Sequence, residues 1–199
     1  MCMIRSFRCP ETRAIHEGFG SRKFRGIEEQ ACKRLRWLDA ATSLTDLGAI
    51  RGNRLEALKR DRAGQHSIRI NDRWRICFYW REGNAYDVEI VDYHQKGRVM
   101  AQRRKLPPIH PGELLRDELN EIGVSLNELG RALRVPMNRI SAIVNGNRAI
   151  TVDTAMRLAR YFGTSPQYWL NLQSAYDLEV AEQEIRPQIE KEVLPRTAA

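Results

Sequence analysis

The 199-residue chain is 42% hydrophobic, which is enough for the core of one large or two small domains. Its formal charge of +8 lies mostly in the first half, because residues 1–99 carry 20 Lys and Arg against 13 Asp and Glu. No run approaches the roughly 18 apolar residues of a membrane helix, and the chain opens without a signal-peptide stretch. We therefore expect a cytoplasmic protein with a polyanionic partner and no membrane partner. The cysteines lack metal-binding spacing, so we predict no metal and no cofactor; they are Cys2, Cys9, Cys32 and Cys77.

The elements expected before residue 60 are a strand at 4–7, helices at 11–19 and 27–41, a turn at 42–52 and a strand at 54–60. In the second helix Ala31, Leu35 and Leu38 form an apolar stripe that can pack on a sheet. The basic residues of that helix fall partly outside the stripe.

Three runs rich in strand-forming residues follow: HSIRI, WRICFYW and AYDVEIVDY, at residues 66–70, 74–80 and 85–93. Asn-Asp and Gly-Asn pairs separate them, as is typical of turns, so the pattern predicts an antiparallel meander. Alternation gives this sheet an apolar face and a cationic face that carries Arg69 and Arg75. The predicted apolar face is formed by Ile68, Ile70, Ile76 and Phe78.

The pattern stops after residue 94. Residues 95–110 contain five basic residues, no acidic one and a Pro-Pro pair, which is typical of a linker. Helix signals then follow closely, with Pro111 at a first position, Gly123 at an end, and Ser125 with Glu128 as a capping box. We predict domains at 1–94 and 111–185, the second a five-helix bundle, joined by a basic linker at 95–110 and followed by a flexible tail at 186–199.

Residues 125–146, SLNELGRALRVPMNRISAIVNG, pair a short capped helix with a second helix across a tight turn. A helix-turn-helix has this form, and its second helix enters the DNA major groove. Helical spacing turns Ile140, Ile143 and Val144 inward, which leaves small and polar side chains facing out, as base edges and phosphates require. The predicted DNA-binding residues are Met137, Asn138, Arg139, Ser141 and Arg148.

A bundle that binds protein, with its outward polar residues merely solvated, is the alternative. The motifs HPGELL, VSLNELGRALRVP, NRIS, VNGNRAIT and SPQYWLNLQ favour DNA, because through them the second half resembles the Xre-type helix-turn-helix antitoxins of the HigA family. The resemblance implies a lambda-repressor-like fold, a palindromic operator and a homodimer through this domain.

The first half contains no Gly-rich phosphate loop and no nucleophile elbow. Metal-free phosphodiester chemistry is the remaining enzymatic option, since RNA supplies its own nucleophile in the 2′-OH. Arg and Lys can stabilise charge on the phosphate, while carboxylates, Tyr, His or Lys can move protons. The candidate catalytic residues are Lys59, Arg69, Arg75, Asp92, Tyr93, His94 and Glu56.

This half resembles the HigB toxins of the RelE-like family through MIRSF, LDAAT, LKRDRAG, SIRI, RWRICF and YDVEIVDYH. The resemblance implies a small antiparallel sheet with packed helices, cleavage of messenger RNA in the ribosomal A site, and roles for the candidates other than Glu56. Many relatives have a histidine where this chain has Glu56. That carboxylate either serves as a base or weakens the enzyme, and the sequence leaves both open.

The expected fold class is therefore α+β, an antiparallel sheet with helices followed by an all-α helix-turn-helix half. The leading hypothesis is a fused type II toxin–antitoxin module, in which a ribosome-dependent, metal-independent endoribonuclease is neutralised through contact with a DNA-binding half that represses its own operon. One alternative is a transcriptional regulator whose toxin-like domain has lost catalysis and serves for interaction. The other is two gene products joined in one chain, with Met100 as the second start.

Overall fold

A computed structural model of the chain describes residues 3–92 and 106–194. Most of the predicted linker, residues 95–105, lies outside the described residues, as do Cys2, Tyr93, His94 and Met100. The first half contains α1 (Pro10–His16), α2 (Glu28–Ala40), α3 (Leu44–Ala49), β1 (Glu56–Ala57), β2 (Gln65–Arg69), β3 (Trp74–Arg81) and β4 (Asn84–Asp92). The second half contains α4 (Pro111–Ile122), α5 (Leu126–Ala132), α6 (Met137–Val144), α7 (Val152–Phe162), α8 (Pro166–Glu184) and α9 (Arg186–Glu192). The α+β class is confirmed.

The four strands form one antiparallel sheet in the order β1-β2-β3-β4, so the predicted meander is confirmed. Ile68 pairs with Ile76, and both are fully buried beside Phe78 on the face that α2 covers. The apolar stripe of α2 is fully buried as well. Its burial follows from the match between a helical stripe and a period-two apolar strand face.

The start of the chain differs from the prediction of a strand at 4–7. Ile4 and Phe7 make only isolated parallel bridges, to Ala85 and Val88. Backbone hydrogen bonds at these bridges join the segment to β4; for example, Arg5 N–H donates to the Ala85 carbonyl at 2.8 Å. The Asp39 carboxylate adds to them by accepting the backbone N–H groups of Met3 and Ile4 at 2.9 Å.

Two further elements correct the sequence prediction. The expected turn at 42–52 contains helix α3, because Ser43 and Asp46 form a capping box that starts a helix there. The strand expected at 54–60 is two residues long, and Arg54 before it has a positive φ of 41°. The residues that form the cap of α3 are also common in turns, so composition predicted a turn. Strand propensity does not determine where the pairing of β1 with β2 ends.

The predicted helix signals of the second half are confirmed. Pro111 lies in the first turn of α4, Gly123 ends it with φ 69°, and Ser125 with Glu128 caps α5 reciprocally. The tail predicted to be flexible begins with the exposed helix α9. Its polar side chains pair at helical spacing, since Arg186 Nε donates to Glu190 at 2.9 Å.

The two halves are in extensive contact, and their buried apolar residues belong to one cluster. The Trp37 ring of α2 meets the Tyr168 ring of α8 edge-on, with centroids 6.0 Å apart, and both side chains are fully buried. Asp46 also accepts the backbone N–H of Ser165 at 2.6 Å, so one carboxylate caps α3 and contacts the start of α8. Across the described ranges, every helix is too short or too polar to cross a bilayer.

Three cysteines, Cys9, Cys32 and Cys77, are buried free thiols. Burial raises the pKa of Cys32 to about 11, so its reactive thiolate form is suppressed at neutral pH.

Candidate nucleic-acid interfaces

Arg75 is the centre of the polar face of the sheet, directly across from Arg69. Its Nε donates to Ser67 Oγ at 2.9 Å, and its Nη2 donates to the carbonyl oxygen of Arg54 at 2.7 Å. Only 12% of the side chain is exposed, so Arg75 is not freely solvated. Its guanidinium is thus held in one orientation by Ser67 of β2 and by the residue two positions before β1.

Glu56, on the short β1, lies beside this guanidinium, and Lys59 follows the end of β1 by two residues. The Glu56 carboxylate is 3.3 Å from Arg75 Nη2 and 56% exposed. Lys59 is exposed at the start of a 3-10 turn, Arg60–Arg62. Within the described part of the chain, no hydrogen bond or ion pair of its ammonium group occurs. Arg75 and Glu56 thus form an ion pair next to the edge strand β1, and the exposed Lys59 follows that strand.

Asp92 lies on the opposite side of the sheet from Arg75. Its register partner is Trp74, and successive side chains of a strand point to opposite faces. Arg73 donates to the Asp92 carboxylate from Nε at 2.9 Å and from Nη2 at 2.6 Å. The structure therefore groups Glu56 with the two strand arginines, and it does not bring Asp92 to them.

Sequence reasoning missed a second polar cluster on the same face. Arg62 donates from Nη1 to Gln65 Oε1 at 3.2 Å and to Glu89 Oε1 at 3.1 Å. Gln65 is 2% exposed, and alternation from Arg69 would have placed it on this face. The pKa of the neighbouring Cys77 is raised, because the effect of its burial is larger than the opposite effect of Arg62. The polar face is thus an organised hydrogen-bonded surface.

The helix-turn-helix presents α6 as predicted. Ile140, Ile143 and Val144 are buried, while Asn138 is exposed and Met137 is 47% exposed. Ser141 is half-buried on the turn after them, and Arg148 is exposed beyond the end of the helix.

Arg139, one of the predicted DNA contacts, is engaged within the protein. Its Nη1 donates to Asp153 Oδ2 at 2.7 Å, and Asp153 also accepts from Arg157 Nε at 2.9 Å. Arg157 in turn donates to the carbonyl oxygen of Leu133 at 2.9 Å. The network ties α6 and α7 to the end of α5, and both arginines lower the pKa of Asp153, Arg157 most.

Helix α4 fixes the other end of α6, which sequence reasoning also missed. Arg116 Nη2 donates to the carbonyl oxygen of Val144 at 2.8 Å and to Asn145 Oδ1 at 2.7 Å. Gly112 packs so closely on the carbonyl of Ile143 that no side-chain carbon fits between them. The spacing Gly-x-x-x-Arg after a helix-starting proline was visible in the sequence, but its partner was not.

The basic residues of α2 face the second half rather than solvent. Lys33 Nζ is 3.4 Å from both Glu113 and Asp117, and Arg36 pairs with Glu179 of α8. Burial would lower the pKa of Lys33, but Asp117 and its neighbouring carboxylates raise it overall. Part of the positive charge of the first half is thus used inside the molecule.

The fold and these surfaces define a protein that combines a small basic α+β half with a helix-turn-helix half. Residues 18–94 match the family model of the RelE-like toxin of the type II toxin–antitoxin system HigB, and residues 115–169 match a helix-turn-helix model. Virulence-associated protein I of Dichelobacter nodosus is 52% identical over 87 residues, 43% of this chain and 81% of that protein. Antitoxin HigA-1 of Vibrio cholerae is 36% identical over 78 residues, 39% of this chain and 73% of that protein.

The solved structure of Pseudomonas aeruginosa antitoxin HigA with the higBA promoter is 49% identical and covers 46% of this chain and 100% of its own, with a TM-score of 0.44. The chain belongs to the type II toxin–antitoxin family, and it joins a HigB-like toxin domain to a HigA-like helix-turn-helix antitoxin domain in one polypeptide.

Proposed function

We propose that the first half is an endoribonuclease that cleaves messenger RNA in the ribosomal A site, and that the second half binds a palindromic operator and represses its own operon. The functional limits proposed are 1–94 and 111–185. The carrying observation is that Arg75, held by Ser67 and the Arg54 carbonyl, pairs with the exposed Glu56 on the polar sheet face. The exposed Lys59 follows the strand that carries Glu56. Ribosomes and DNA are the implied partners, so the protein works in the cytoplasm.

In the proposed reaction the 2′-OH of RNA attacks the adjacent phosphate and forms a 2′,3′-cyclic phosphate, while the bond from phosphorus to the 5′-oxygen breaks. No protein nucleophile and no metal is needed. Arg75 enters the reaction already oriented by Ser67 and the Arg54 carbonyl, which favours stabilisation of developing charge over mere binding. Lys59 supplies the second cation. Glu56, an exposed carboxylate beside Arg75, takes the proton of the 2′-OH, and Tyr93 and His94 are the candidates for the acid that protonates the leaving 5′-oxygen.

We predict that Lys59→Ala and Arg75→Ala each lower message cleavage about 100-fold, since loss of one charge-stabilising contact at a transition state costs about 3 kcal/mol. Residues 1–99 are expressed alone in growing bacteria, and growth and message ends are followed. Arg22→Ala, which removes an exposed cation from the turn before α2, is the matched control and leaves toxicity unchanged. Full toxicity in both active-site variants would refute the site.

The same expression experiment separates the proposal from its main alternative, a regulator whose sheet domain is inactive. That alternative draws support from Glu56 in place of the family histidine and from the internal partners of Arg69 and Arg75. Growth arrest with cleaved messages supports the toxin. Normal growth from soluble, folded protein supports the regulator.

For the second half, the exposed outer surface of α6 supports DNA binding. Apolar side chains on α8 and α9 supply a surface for the proposed homodimer, since Leu178 is 64%, Ile185 49% and Ile189 47% exposed. A dimer fits a palindrome because each copy reads one half-site.

We predict that Asn138→Ala relaxes specificity by about 1–3 kcal/mol at one operator position, because Asn pairs with a base edge. Arg139 is expected to exchange its Asp153 partner for a phosphate, so Arg139→Ala lowers affinity for all sequences and flattens the salt dependence by about one unit. Titration of operator variants at several salt concentrations measures both. Equal losses on every sequence for Asn138→Ala, or a footprint over a single asymmetric half-site, would contradict the assignment.

A further inference from the structure

Helix α4 presents a row of carboxylates to the toxin half. The row consists of Glu113, Asp117, Glu118 and Glu121. Glu113 and Asp117 meet Lys33 of α2, as described above. Glu118 lies deeper, where it accepts the backbone N–H groups of Arg51 at 2.8 Å and Gly52 at 3.0 Å. This row is therefore a docking surface whose partner is the basic side of the toxin half.

Glu121 stands at the end of the row that is nearest the proposed ribonuclease site. Its carboxylate lies 3.6 Å from Arg54 Nη2 and 3.9 Å from Arg69 Nη1. Arg69 is the cross-strand partner of Arg75, and the carbonyl oxygen of Arg54 accepts from Arg75. One carboxylate from the antitoxin half thus lies between two guanidinium groups that are next to the proposed ribonuclease site.

Proteins commonly bind a phosphate with guanidinium groups that face the same anion, and Arg54 and Arg69 face the Glu121 carboxylate in this way. We propose that Glu121 occupies the place of an RNA phosphate at Arg54 and Arg69, so that the acidic edge of α4 competes with RNA for the toxin surface. This inference rests on the proposed function, namely that the polar sheet face binds RNA. The proposed competition involves Arg54 and Arg69, which lie next to the ribonuclease site, and not Lys59 or Arg75, which Glu121 does not contact.

The competition between Glu121 and RNA for these arginines is partial. Glu121 is 35% exposed and Arg54 57% exposed, so solvent and salt screen the contact. RNA that displaces Glu121 weakens the docking of α4, and docking weakens RNA binding by the same factor, since the two are linked. Removing the charge of Glu121 therefore frees Arg54 and Arg69 for an RNA phosphate and increases RNA affinity in the intact chain.

The test measures binding of a fluorescent 2′-O-methyl RNA oligonucleotide, which lacks the 2′-OH and is not cleaved, to the full chain. We expect Glu121→Gln to tighten binding about fivefold at low salt. The slope of log affinity against log salt should become steeper by about 0.7, the value for one additional phosphate contact with single-stranded nucleic acid. Glu113→Gln is the matched control, because it removes a carboxylate from the same helix next to Lys33 instead of the arginines.

Arg69→Ala separates the two hypotheses. If Arg69→Ala weakens RNA binding while Glu121→Gln and Glu113→Gln both equal the wild type, the competition is refuted and the RNA-binding face stands. If Arg69→Ala and Arg75→Ala both leave RNA binding unchanged, the proposed function itself fails. In the double variant Glu121→Gln with Arg69→Ala, the gain from Glu121→Gln should shrink. An undiminished gain would refute the role of the Arg54–Arg69 pair.

Discussion

Glu118→Ala is expected to destabilise the chain by about 3–5 kcal/mol, the usual result of removing one partner from a buried charged network. Glu118 is 1% exposed, and its loss removes the acceptor of two backbone N–H groups, that of Arg51 and the buried one of Gly52. Burial raises the pKa of Glu118, against the effect of these two hydrogen bonds and of Arg34. The pKa of Arg34 is lowered by burial, and Glu118 is one of the carboxylates that counter this.

Urea unfolding of the full chain measures the loss, and Asp117→Ala is the control. Asp117 is on the same helix and also faces the toxin half, but 43% of its side chain is exposed. Its pair with Lys33 is therefore expected to contribute less than about 1 kcal/mol. Equal destabilisation by the two variants would mean that the charge of the row matters and the buried position does not.

The contrast between these carboxylates explains what the sequence could and could not predict about the fold. Periodicity correctly placed Ala31, Leu35 and Leu38 on the buried face of α2, because hydrophobic spacing reports directly which side leaves water. It also placed Lys33 outside the stripe. Periodicity does not show what packs on the polar side of α2. The basic charge there, which suggested a polyanionic partner, is paired with carboxylates of α4.

The candidate site divides in the same way. Alternation along β2 and β3 placed Arg69 and Arg75 on one face, since the side-chain period of a strand is fixed. Asp92 was grouped with them through family resemblance, whereas the register pairs it with Trp74 on the other face. Register depends on turns and on the bulge between Cys77 and Tyr79, neither of which composition determines.

The helix-turn-helix was predictable almost residue by residue, because caps and turns are local signals. The contacts that hold α6, the recognition helix, in place could not be predicted, because they depend on the approach of α4, which is distant in sequence. Gly112 at the start of α4 lies against the carbonyl of Ile143, and Arg116 one turn later donates to the carbonyl of Val144. The end of α6 is thus fixed by a contact that only a glycine permits.

Gly112→Ala is therefore expected to unfold or displace this junction. An added Cβ would overlap the Ile143 carbonyl and approach His110 Nδ1 to 2.9 Å, and both neighbours are held by backbone structure or by a cap. Overpacking of this kind costs about 3 kcal/mol or more, because relief requires a helix to move. A shift of α4 also breaks the Arg116 contacts, so operator affinity should fall by more than tenfold even where the chain remains folded.

Gly123→Ala is the matched control for this prediction. Gly123 has a positive φ of 69°, but an added Cβ would meet nothing within 4 Å. The expected loss is about 1–2 kcal/mol from backbone strain alone, with operator affinity unchanged. Urea unfolding and operator titration are measured on both variants at a temperature where each is folded. If Gly112→Ala matches Gly123→Ala in both measurements, close packing at Gly112 does not position the recognition helix.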